Sequence, residues 1–469
     1  MFRDLYDHVV DFFVTLFSHW EIWLFMIVFG ASLPLLDPRQ IPFFFFTFIK
    51  YTWWFWLFLI FWELLRELFL YVQQQKYKQK EAAPEKYALF EIRIPRELEK
   101  SAKSMEHVFQ ALHGMGNAPG NWREKYIEGQ VPLWFSLELV SLGGQIHFYL
   151  RMPKKHTNLT EVAFFSQYPD VEITEVKDYM RELPATTAEL YALGMDLWGT
   201  EFILAKEGAY PLKTYPMFET GSAEKQIDPL SVFLETLAKI KGGEVVVVQM
   251  LISPAGKDWA KTYDELVKKL RAPELVETGG EAKMPVAHTA KKTEVINAVE
   301  NKLTKPAFNT LVRLCYMSPG TILKEGSGFA RGGITGAFNQ YSAPNMNAFK
   351  ANSGTTTRID KWKFPHVYVD KRLEYRKQRL LHNLRNRVNP PETFTGKLFT
   401  SFFMEWNFDS VSYELVTDEL ATIYHPAPTG VLTAPHMRRV ESKKAGPPAG
   451  LDIFGAEEDL ERFKKKSTS

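Results

Sequence analysis

The stretch IPFFFFTFIKYTWWFWLFLIFWELLRELFLYVQQQKYKQK, Ile41 to Lys80, constrains this chain more than any other. From Ile41 to Trp62 only Lys50 is charged, and these 22 residues span about 33 Å as a helix, enough for a hydrocarbon core of about 30 Å. A helix this aromatic on every side is hard to hide in a soluble core. Upstream, EIWLFMIVFGASLPLL gives a second apolar run that ends at Leu36, and Asp37-Pro38 between the two is a turn signal. The simplest expectation is a transmembrane helical hairpin over residues 1–75, with spans at about 20–36 and 43–65. Lys50 sits close enough to the loop side for its side chain to snorkel to the headgroups. Lys76, Lys78 and Lys80 follow the second span, whereas the loop carries just Arg39. The positive-inside rule then places both termini in the cytoplasm, as a multi-pass protein of the inner (cytoplasmic) membrane.

The remainder has the composition of ordinary globular protein. Charged residues are 24% and apolar ones 45%, with the apolar share concentrated before Val72, and a net charge of +2 by itself implies neither nucleic acid nor membrane. The one cysteine, Cys315, lies in the apolar strand-like run TLVRLCYMSP and reads as a buried thiol. KYALFEIRIP alternates as a strand; RELEKSAKSMEHVFQALHG carries Leu98, Ala102, Met105, Phe109 and Leu112 on one helical face. Two strands around Gly143-Gly144, a short helix and VEITEV complete the order β-α-β-β-α-β, which predicts a ferredoxin-like α+β domain over 86–180. A second α+β domain is expected over 190–350, with a polar mobile linker at 271–292. Its alternation of helix and strand leaves an internal duplication open. Beyond it the sequence predicts a basic helix in 358–390, a C-terminal α/β extension over 395–440 and a disordered tail over 441–469.

Signals for chemistry are sparse. Gly328 to Gly333 has the spacing of a nucleotide-binding loop, but Ile334 and Thr335 follow where Lys and Ser/Thr are needed. His107 and His113, and His425 and His436, lack metal-ligand spacing. No catalytic, cofactor or metal residue is therefore assigned, and the chain reads as a non-enzyme. The strongest signal is KRLEYRKQRLLHNLRNR, where seven basic residues face one Glu across 17 positions. Arg372, Arg376, Lys377, Arg379, Arg385 and Arg387 are the candidates for phosphate or partner binding, with Leu373, Leu380 and Leu384 on another face. Such a helix binds DNA, anionic headgroups or an acidic protein groove, or is a solvated face docked through its leucines.

Several blocks together resemble a known family. MEHVFQALHG, WREKYIEGQVPLWFSLELVSLGGQIHFYLRMPKK, FFSQYPDVEITEVKDY, LWGTEFILAKEGAYPLKTYP, GAFNQYSAPNMNAFK and DELATIYHPAPTGVLTAPHMRRVESKKAGPPAGL are similar to the membrane-anchored N-terminal region of type IV secretion and conjugation-type ATPases of the TraG/HerA-like kind. In those relatives a motor with a Walker A loop follows a segment like ESKKAGPPAGL, whereas here about 20 residues remain. The resemblance thus implies the non-motor half: an accessory or scaffold subunit of a secretion or DNA-translocation machine, oligomeric, with a separate P-loop ATPase acting in trans. DNA or anionic lipid held by residues 371–387 is the alternative.

Overall fold

The computed structural model describes residues 41–440 except 82, 96–97, 99–101, 117–118, 219–227, 257, 273, 278–282, 287–288, 325–328, 344, 360–366, 392, 394, 398–406 and 428–438. A long helix, α1 (Ile41–Glu81), leads into β1 (Tyr87–Pro95), α2 (Ala102–Gly114), β2 (Phe135–Leu142), β3 (Gln145–Pro153), α3 (Thr157–Gln167) and β4 (Glu172–Val176). The strands lie in the order β4-β1-β3-β2, every neighbour antiparallel. That is the ferredoxin-like arrangement. Gly143 and Gly144 take φ of +58° and +93° between β2 and β3, the positive values that a two-residue hairpin turn requires.

The same order then recurs. β5 (Met195–Leu204), α4 (Ser231–Ala238), β6 (Val245–Pro254), β9 (Ala307–Pro319), α6 (Phe329–Ala337) and β10 (Phe349–Ala351) place their strands as β10-β5-β9-β6, again all antiparallel. Between β6 and β9 this second unit inserts β7 (Glu274–Glu277), β8 (Lys283–Val286) and α5 (Ala290–Leu303). β7 and β8 pair as an antiparallel hairpin inside the stretch that the sequence reads as a linker. The two units join through β2 and β6, in register from Phe135↔Ile252 to Leu142↔Val245, and their eight strands are extended to a ten-stranded sheet by two later ones. After the second unit come α7 (Val369–Asn386), β11 (Tyr413–Val416), α8 (Thr417–Ile423) and β12 (Arg439–Val440); β11 pairs with β9, and β12 runs parallel to β1.

Period-2 alternation gives the sheet two chemically distinct faces. Leu137, Leu139, Val248, Met250, Val312 and Leu314 point to one face, where they pack with Met105, Val108, Phe109 and Leu112 of α2, Phe164 of α3, Phe233 and Leu237 of α4, Phe338 just after α6, and Leu420 of α8. Full burial of each such side chain stabilises by about 1.5–3 kcal/mol. The opposite face carries Val140, Val247, Cys315 and Met317, and α7 covers part of it with Leu380, Leu381 and Leu384.

The amino-terminal expectation is corrected. Among the described residues, no helix is long and apolar enough to cross a membrane, so the transmembrane hairpin and the multi-pass inner-membrane placement do not stand. The physical reason lies in the run itself. Trp and Tyr, whose rings carry polar edges, take five of the 22 positions from Ile41 to Trp62, and Lys50 interrupts the run. The helix also does not stop at Trp62; α1 continues through Glu63, Arg66 and Glu67 for 41 residues in all. Its far end belongs to the protein body: Gln74 is buried, and Gly129 lies so close to the backbone of Gln73 that a Cβ there would collide with it. Lys50, Lys76 and Lys80 are exposed on this helix, and Lys78 lies 5.8 Å from the Trp134 ring centroid. The expected first span and the disordered tail fall outside the described residues.

Candidate functional site beneath the basic helix

Lone charges in apolar strands build the centre of the covered face. Glu201 of β5 is registered with Arg313 of β9, Arg313 with Gln249 of β6, Gln249 with Glu138 of β2, Glu138 with Tyr149 of β3, and Tyr149 with Glu91 of β1. One polar row therefore crosses six strands and both units. Arg313 donates to Glu201 at 2.7 Å, and Gln249 donates to Glu138 at 3.0 Å. Glu138 also accepts from Ser136 and Tyr179. A buried charge persists only with such compensation, because its desolvation costs several kcal/mol.

The basic helix closes this row. Tyr368 before α7 and Arg387 after it both take left-handed φ of 51°. For a residue with a Cβ that conformation costs about 1–2 kcal/mol. At Arg387 it turns the chain so that the guanidinium enters the sheet, with Nε donating to Glu138 at 2.6 Å and Nη1 to Asp178 at 2.8 Å. Burial works against both partners, yet the Arg387 charge holds Glu138 and Asp178 below the usual carboxylate range. Arg372 donates to the Asn407 side chain, and Arg376 donates to the carbonyls of Asn407, Ser353 and Thr356. Burial pushes Arg376 down to about 10. Lys377 pairs with Asp196 at 2.6 Å, and Arg385 donates to the carbonyls of Met180 and Leu183. Five of the six candidate cations are thus engaged with the body. Their partners lie far off in sequence, so helical spacing alone cannot reveal them.

Arg379 differs. Its Nε is shielded from solvent and has no hydrogen-bond partner among the described residues. It lines a cavity of about 390 Å³ together with Tyr71, Lys78, Trp134, Arg313 and His382. Burial first, and then the charges of Arg379 and Arg313, keep His382 below the ordinary imidazole range against a hydrogen bond to Asn383. The cavity thus lies where the end of α1, the basic helix and the polar row meet. Glu138, Glu201 and Arg313 were missed from the sequence, although a single charge centred in FSLELVSL, WGTEFIL or TLVRLCY is the signal that could have found them. Cys315 neighbours this row on β9; burial pushes its thiol up to about 12, which leaves no thiolate for nucleophilic chemistry.

These features define a class: an α+β protein of two ferredoxin-like units fused edge to edge, with a basic helix clamped over a buried polar row. A family model described as a domain of unknown function (DUF8128) matches residues 66–362, more than half of the chain, and the chain belongs to that family. The matched residues run from within α1 through β10, so the doubled unit is the family's common part, and α7 lies beyond it. No curated protein matches the chain.

Proposed function

We propose that this protein is a non-enzymatic scaffold subunit of a type IV secretion or conjugative DNA-translocation machine, which seats a P-loop ATPase supplied in trans. The observation that carries the reading is the exposed aromatic stretch of α1. Tyr51, Trp53, Trp54, Phe61 and Trp62 stand about half exposed or more on a helix whose other end is fastened to a broad sheet. Exposed Trp and Tyr are the usual anchors of protein interfaces, and large apolar side chains gathered in one segment mark interaction sites. The resemblance of ordered blocks to the non-motor region of secretion ATPases supplies the kind of partner. DNA binding through residues 371–387 has less support, because Arg372, Arg376 and Arg387 are buried against the body.

The test is a cross-linked pull-down from native extract with the full chain. Wild type should recover a P-loop ATPase, and the variant W53S/W54S/W62S should lose it by more than about 30-fold, as expected for removal of interface anchors. Failure of the wild-type chain to recover any P-loop ATPase sinks the proposal.

A further inference from the structure

We infer that the cavity between α1 and α7 binds a small phosphate-bearing molecule, with the phosphoryl group held by Arg379 and Ser410. The inference goes beyond the scaffold reading and does not depend on it. Four cationic or imidazole side chains line the cavity (Arg379, Lys78, Arg313 and His382), and none of its lining residues among those described is a carboxylate. Arg313 is already matched by Glu201, but the Arg379 guanidinium is not matched in that way. Three of its lining residues hold a side-chain atom without a hydrogen-bond partner among the described residues: the donors Arg379 Nε and Ser410 Oγ, and the acceptor Asn383 Oδ1. Buried polar groups are nearly always satisfied, so a cationic lining with two unpartnered donors and one unpartnered acceptor calls for an occupant that accepts more than it donates. A guanidinium presents its donors as a planar fork that fits oxyanions, and a phosphomonoester brings close to two negative charges and three acceptor oxygens.

Size and lining narrow the class further. A volume of about 390 Å³ holds a sugar phosphate or a nucleoside monophosphate, within the range of small-molecule sites. Gln75, Gln79, Asn386 and Asn389 offer amides for hydroxyl or base edges, and Tyr71 and Phe408 offer apolar walls. Gln75 and Gln79 come from α1, so an occupant would touch the arm and the body together.

Isothermal titration of the full-length chain in low-chloride buffer tests this, with inorganic phosphate, ribose 5-phosphate and adenosine monophosphate as probes and succinate as the contrast. Saturable one-to-one binding of at least one organic phosphate is expected, together with a rise in Kd of about ten- to a hundredfold in R379Q and an unchanged circular dichroism spectrum. K78Q, altered on the other wall, should weaken the same probe independently and guards against a folding defect in R379Q. Absence of saturable phosphate binding overturns the inference. So does wild-type affinity in both variants, or succinate binding as tightly as the phosphates.

Discussion

The two ferredoxin-like units share a topology and differ in how they use it. In each, the first strand carries an inward acid paired to a base on the third. Glu91 meets His147 at 2.7 Å in the amino-terminal unit, and Glu201 meets Arg313 at 2.7 Å in the second. Two residues before each acid the units part: Leu89 fills its position with a buried side chain, whereas Gly199 leaves room for Leu380 of α7. The first unit closes β2 to β3 with two glycines; the second inserts the β7–β8 hairpin and α5 at the matching place. The comparison teaches that the duplicated sheet is the constant part. What was specialised in the second unit is the face that accepts the basic helix.

Where the units join, Glu138 is the residue whose loss should break this arrangement most severely. It accepts from Arg387, Tyr179, Gln249 and Ser136, whereas Oε2 of Glu201 has no partner among the described residues. Glu138→Gln leaves Arg387 with Asp178 as its carboxylate and sets an amide N–H against its guanidinium, and should cost about 3–5 kcal/mol in urea unfolding, the range for breaking a buried pair. Glu201→Gln should cost less, and equal losses would show that the seam has no special weight. Acid should act on the same carboxylate. Its folded pKa lies below the ordinary value of 4.5, so its stabilisation is complete above 4.5 and is lost as pH falls through the depressed value. An unfolding-against-pH series should therefore drop below pH 4.5 more steeply for wild type than for the Gln variant.

How legible was this fold? The first unit could be read because Tyr87 to Val176 holds its strands and helices in close succession, each with its own periodicity. The second copy was obscured by the insertion between β6 and β9 and by a last strand, β10, of three residues. The amino-terminal run misled for a different reason: its Trp and Tyr rings add bulk without matching hydropathy, Lys50 interrupts it, and Glu63 to Glu67 continue the helix rather than end it. The arginines of α7 look solvated in sequence because nothing local declares their partners. Glu138 lies 249 residues before Arg387, and the carbonyls that Arg376 uses belong to irregular segments. Helical spacing shows which residues share a face; only the fold shows that the face is turned inward.

Matched substitutions at the divergent positions sharpen the comparison. Leu89→Ala empties a packed site and should cost about 2–5 kcal/mol by chemical denaturation. Gly199→Ala adds one methyl where Leu380 and the Leu314 carbonyl already touch, so it should cost about 1–3 kcal/mol by overpacking. The second change should also loosen α7, read as faster amide exchange in residues 369–386 than in β1. If Gly199→Ala is neutral, the glycine is not what admits the helix.

The smallest effect is expected at Arg379, and its smallness is informative. Arg372, Arg376, Lys377, Arg385 and Arg387 each hold a carbonyl, an amide or a carboxylate of the body, so truncating them removes a bond that folding uses. Arg379 Nε has no such partner among the described residues, and no carboxylate lines its cavity among them. Arg379→Gln should therefore shift unfolding by no more than about 0.5 kcal/mol, the range of substitutions away from structural contacts. In low salt it should gain slightly, since it removes a positive charge close to Arg313 and His382. A loss above about 1.5 kcal/mol, near that of a charged hydrogen bond, would place Arg379 with the other cations as one more clamp on the sheet.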